Sequence, residues 1–112
     1  MKKIRGRSKL LPFVCGIYKI TSPSGKIYIG QSVDIYHTWH TRYEMLKCKH
    51  QKMLSASLKK HGWESHVFEI IEICHEENLS YYEIYYIWIL ETYNTPHGMN
   101  LTTGCSKGFR FK

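Results

Sequence analysis

Near the start of the chain, apolar and polar residues alternate over two short stretches separated by turn residues. Residues 10–20 (LLPFVCGIYKI) predict a strand, residues 22–25 (SPSG) a turn with glycine available for positive φ, and residues 26–31 (KIYIGQ) the returning strand. A helical rhythm then starts at Val33-Asp34, with Asp34 as the expected N-cap, and continues to about Lys47. Residues 50–62 (HQKMLSASLKKHG) predict a second helix with Met53, Leu54 and Leu58 turned inward and Gly62 closing it. Residues 66–74 (HVFEIIEIC) alternate as a strand. Ser80 opens a third helix, YYEIYYIWILE, so apolar on every side that it is expected to run buried through the middle of the domain. The stretch from Thr92 onward, punctuated by Pro96, Gly98, Gly104 and Gly108, predicts loop. The order β-β-α-α-β-α implies an α+β domain, a small three-stranded antiparallel sheet flanked by helices.

The first two strands carry a mirror pattern, Gly-Ile-Tyr at 16–18 and Tyr-Ile-Gly at 28–30. Pairing them around Pro23 sets Tyr18 opposite Tyr28, Gly16 opposite Gly30 and Ile20 opposite Lys26, all on one face, and sends Ile17, Ile27 and Ile29 to the other. On this register the glycines leave space beside each phenol for a ligand, and the face offers two hydroxyls and an ammonium. The plain alternative is a cross-strand tyrosine pair that only stabilises a hairpin.

A chain of 112 residues suits one domain, drawn here at 13–105, between a basic N-terminal arm (1–12) and a basic tail (106–112). Sixteen Lys and Arg against nine Asp and Glu leave a net charge of +7, which favours a polyanionic partner, nucleic acid before an anionic membrane. Lys47, Lys49, Lys52, Lys59 and Lys60 add to that surface, although a solvated basic face or a structural ribosomal or scaffold domain would have the same composition. Cys15, Cys48, Cys74 and Cys105 form no C-x-x-C pair, and no secretory leader or apolar run of membrane-spanning length is present. A soluble protein of the reducing cytoplasm is therefore expected.

GIY at 16–18 and YIG at 28–30, followed by GQSVDIYHTW, SYYEIYYI and GMNLTTG in that order, resemble the GIY-YIG nuclease family over residues 14–104. The resemblance implies a GIY-YIG-like fold and hydrolysis of a DNA phosphodiester with one divalent ion, Mg²⁺ or Mn²⁺. It assigns Tyr18 to orient or deprotonate the attacking water with Tyr28 beside it, Glu83 to hold the metal, Asn100 to close the site by hydrogen bonding, and Lys26 to meet phosphate. From the residues alone, Ser80-x-x-Glu83 reads first as a capping box, and Asn100 reads as well as a turn residue as a functional one. The chain departs from the family at Thr38, which stands before Trp39 where an arginine is expected. Arg42, one turn on, is the candidate replacement, and His37 and His40 are candidates for phosphate contact or proton transfer. Two functions follow: an active metal-dependent endonuclease with a rearranged cation, or a weakened relative that binds nucleic acid. No sequence-reading module is recognisable, so weak sequence preference on double-stranded DNA is expected.

Overall fold

Gly25 sets the first turn. In the computed structural model, which describes residues 13–103, it takes a φ of +89°, a conformation that favours a residue without Cβ. Its N–H donates to the Ser22 carbonyl at 2.9 Å, and the Ser22 N–H donates to the Lys26 carbonyl at 2.8 Å. The hairpin between β1 (Gly16–Thr21) and β2 (Ile27–Ser32) is therefore centred on Ser24, not on Pro23. Tyr18 lies opposite Gly30, Ile20 opposite Tyr28 and Gly16 opposite Ser32, which corrects the expected Tyr18–Tyr28 and Ile20–Lys26 pairs. The slip is even, so each side chain keeps its expected face.

The third strand, β3 (Val67–Ile73), pairs antiparallel with the other side of β1, giving the order β2-β1-β3. A bulge opposite Ile17 and Tyr18 interrupts its alternation. Phe68 and Ile70 pack with Tyr18, whereas Ile71 and Cys74 pack on the opposite face. Beside the bulge the backbones come so close that a Cβ on Gly16 would lie 1.9 Å from the Glu72 carbonyl oxygen. Gly16 serves strand packing and opens no room for a ligand.

The helices form a layer on each face. α1 (Ile35–Thr38) runs into a wide π turn at Trp39–Glu44 and ends short of Lys47, with Leu46 at a φ of +57°. Asp34 precedes α1 without a side-chain cap bond; its own N–H is held by Ser32 Oγ at 2.9 Å. α2 (Lys52–His61) stops at Gly62, whose φ is +83°. Leu54 and Leu58 are buried as expected, but Met53 faces outward. Together with Ile35, Trp39 and Tyr43 they cover the tyrosine face of the sheet. α3 (Leu79–Ile89) covers the other face, where Ile17, Ile29, Leu79 and Ile87 form a second core. It is not buried all round: Tyr81, Tyr85 and Ile89 are exposed, because α3 is an outer layer with the sheet on one side only.

The open edge of β2 is covered by residues 97–100. The Ile27 N–H donates to the His97 carbonyl and the Met99 N–H to the Ile27 carbonyl, both at 2.8 Å. The architecture is the expected α+β domain. Among the described residues Cys15, Cys48 and Cys74 are free, and no helix is long and apolar enough to cross a membrane. The basic arm, the basic tail and Cys105 lie outside the described residues.

Candidate functional site

Gly30 shapes the site by what it lacks. The Tyr18 ring lies across it so closely that a Cβ there would sit 2.4 Å from Tyr18 Cζ. The space expected for a ligand is filled by the protein's own phenol. Trp39 and Tyr43 box the ring at centroid distances of 5.9 and 6.0 Å, and only 1% of the residue is exposed. The Tyr18 and Tyr43 hydroxyls are 2.6 Å apart. Burial, with Tyr43 and Tyr28 adding to it, raises the Tyr18 pKa well above the ordinary phenol value, against a smaller opposing pull from the Arg42 charge.

Gln51, at the start of α2, extends this pair to the surface. Its Nε2 donates to the Tyr43 hydroxyl at 3.0 Å and to the Tyr28 hydroxyl at 2.5 Å. Because the Tyr28 oxygen accepts from Gln51, the phenol's own proton remains available to a partner in the cleft. Burial raises the Tyr28 pKa too, followed by Tyr43, with Gln51 opposing and the Glu83 carboxylate adding a smaller upward push. Burial likewise raises Tyr43. These phenols are hydrogen-bond donors at neutral pH, not bases.

Glu83 arrives from the other layer. α3 packs on the sheet face opposite the tyrosines, yet the Glu83 side chain reaches the edge of β2, where Gln31 Nε2 donates to Oε1 at 2.7 Å. It does not cap the helix start. Desolvation raises its pKa above the ordinary carboxylate value, and the Gln31 bond partly offsets this. Tyr28 and Glu83 line one cleft of about 200 Å³ with His50, Gln51, Met99 and Asn100.

Asn100 fixes the wall of that cleft. Its Oδ1 accepts from the Ile29 N–H at 2.8 Å and from Thr92 Oγ1 at 2.7 Å, while Nδ2 donates to the Ile29 carbonyl at 2.9 Å. The side-chain amide thus takes the place of a neighbouring strand on the β2 edge, and Asn100 is buried.

The remaining sequence candidates are dispersed. Thr38 Oγ1 lies 2.6 Å from Ser32 Oγ, tying α1 to the end of β2. Arg42 is exposed on the π turn, and its charge lowers the pKa of Tyr18, Tyr28 and Tyr43. His40 pairs with Glu44, Nδ1 to Oε1 at 2.6 Å, and His37 is exposed. Lys26 lies beyond the strand and lines a different cavity. Tyr43, Gln51, Gln31 and His50 belong to no chemical motif in the sequence. Tyr43 was legible only as an apolar position one turn after Trp39, and neither glutamine belongs to any pattern. Among the described residues no group of three or more His, Cys, Asp or Glu is placed to hold a metal ion. In comparisons with known proteins, no family model, no curated protein and no solved structure matches this chain.

Proposed function

We propose that the protein is a divalent-metal-dependent DNA endonuclease of the GIY-YIG type. The observation that carries this reading is that Tyr28 of β2 and Glu83 of α3, which packs on the other face of the sheet, line one cleft at the sheet edge, where the Glu83 charge acts on the Tyr28 phenol. A lone half-buried carboxylate does not form a complete cation cage. It fits Mg²⁺ or Mn²⁺ taken up with substrate phosphate oxygens and waters, the usual manner of Mg²⁺ at phosphoryl sites. Such an ion supplies Lewis acidity to the phosphate and its leaving oxygen.

The chain's own residues have separate tasks in this scheme. Glu83 holds the ion, with Gln31 fixing the carboxylate's direction. Tyr28 donates its proton in a hydrogen bond that orients the attacking water or a phosphate oxygen. Tyr18 acts from behind as a positioning residue, through Tyr43 and Gln51. Asn100 holds the β2 backbone in place, and the exposed Arg42 offers charge to the phosphate. His50 lines the same cleft and offers an imidazole for hydrogen bonding to substrate. The net charge of +7 supports a polyanionic substrate.

Nicking of supercoiled plasmid with Mg²⁺, Mn²⁺ or chelator tests the proposal. Metal-dependent nicking that Glu83→Ala abolishes is the expected result; nicking that persists in this variant overturns it. A second reading, a nucleic-acid-binding relative with weakened catalysis, is favoured by Thr38, whose hydroxyl is engaged with Ser32 where a guanidinium is otherwise expected. On that reading the native chain binds DNA without cutting it, and Thr38→Arg restores nicking.

A further inference from the structure

A second cavity of about 550 Å³ opens between the hairpin tip and α2, lined by Ser24 and Lys26 on one side and by Met53, Ala56, Lys60 and His61 on the other. Met53, Ala56 and Lys60 recur at helical spacing on the exposed side of α2, away from the buried Leu54 and Leu58. Met99 forms part of its lining and also lines the Tyr28–Glu83 cleft, so the two cavities abut.

Folding accounts for only part of the charge around this cavity. No carboxylate lines it among the described residues. Among the described residues Lys26 and Lys60 have no ion-pair partner, whereas Lys19 reaches Glu69 at 3.5 Å. The α2 macrodipole favours Lys60 and His61 at the helix end, but it gives no reason for another ammonium across the cavity. Cations facing one space repel each other, and a bound anion relieves that repulsion. Along the chain Lys26 precedes Tyr28 by two residues, roughly 6.6 Å at strand rise. Neighbouring phosphates of one strand lie farther apart along the backbone than the roughly 3.4 Å axial rise per step, so a strand passing Tyr28 brings the next phosphate to Lys26.

We propose that Ser24, Lys26, Lys60 and His61 form a seat for a backbone phosphate of the bound DNA strand, next to the phosphate that is cut, with Met53 and Met99 under the adjoining sugar or base. The seat rests on the nuclease reading for its substrate, but its test is separable. Fluorescence anisotropy of a labelled single strand and of a duplex, titrated with salt, is measured on Glu83→Gln, in which cutting is blocked. Adding Lys26→Gln or Lys60→Gln makes the log K against log salt slope shallower by about 0.7 on the single strand and about 0.9 on the duplex. Lys19→Gln leaves it unchanged. Slopes that match the parent's in both lysine variants, or no DNA binding by the parent, overturn the seat. Shallower slopes in a protein that never nicks plasmid keep the seat and remove the nuclease; nicking with unchanged slopes does the reverse.

Discussion

Replacing Gly30 by alanine tests the geometry on which the site is built. The new Cβ would lie 2.4 Å from Tyr18 Cζ and 2.5 Å from its hydroxyl, where ordinary contact begins at 3.4 Å, so the ring must retreat by about 1 Å. It has little space to do so, being boxed by Trp39 and Tyr43 and tied to the Tyr43 hydroxyl. Overpacking of this kind costs about 1–3 kcal/mol, and a buried hydroxyl pulled off its partner adds about 1 kcal/mol or more. The expected loss is about 2–4 kcal/mol by urea denaturation, a fall in Tm of roughly 10–20 °C for a domain of this size. A double-mutant cycle with Tyr18→Leu isolates the cause: with the ring gone, Gly30→Ala becomes nearly neutral and the coupling exceeds about 1 kcal/mol. Gly25→Ala, where the Cβ would meet nothing within 4 Å, loses only about 1 kcal/mol of backbone strain from its φ of +89°. A Gly30→Ala loss below about 0.5 kcal/mol, or the same loss with leucine at position 18, would refute the reasoning.

Glu83→Gln is expected to stabilise the protein at neutral pH while removing activity. Burial holds the folded pKa of Glu83 above the unfolded value, so ionised Glu83 destabilises the fold at high pH and not below its unfolded pKa. The Tm gain should therefore be largest near about pH 8 and vanish near about pH 4; a gain independent of pH contradicts this. Asn100→Ala strips partners from the Ile29 N–H and carbonyl and from Thr92, and should cost about 2–5 kcal/mol in urea. His66 is buried with Nδ1 donating to the Gly62 carbonyl and Nε2 accepting from Ser57, both at 2.8 Å. Desolvation lowers its pKa from 6.5, so stability should fall as pH drops below about 6.5 until the folded imidazole itself takes up a proton, and His66→Gln should flatten the slope.

The sequence made the element order legible because alternation and turn chemistry are local signals, and Gly25 and Gly62 sit where positive φ is needed. It also made the sheet faces legible, since the register differs from expectation by an even number. The register itself was not legible, because the Ser22–Lys26 pairing sets the hairpin tip and proline does not. Nor was the burial of Tyr18, which depends on Trp39 and Tyr43 arriving on the π turn and on Gly30 admitting the ring. The apolar pattern of α3 gave its length but not its exposed side, which depends on how many layers the chain can build. Glu83 was readable as a candidate, yet its escape from a capping box rests on Gln31, a residue with no pattern around it. His50 and Gln51 enter the cleft only through the tertiary meeting of α2 with the β2 edge.

The central claim is that Tyr28 and Glu83 act together on a metal-bound phosphate while Tyr18 serves from the interior. Single-turnover nicking rates against Mg²⁺ concentration, for the native chain, Glu83→Ala, Tyr28→Phe and Tyr18→Phe, test it most directly. The account predicts loss of the Mg²⁺ response in Glu83→Ala and a fall of about 10²-fold in Tyr28→Phe. Tyr18→Phe should show a smaller fall. An undiminished Mg²⁺ response in Glu83→Ala, or a Tyr18→Phe defect far exceeding that of Tyr28→Phe, would contradict it.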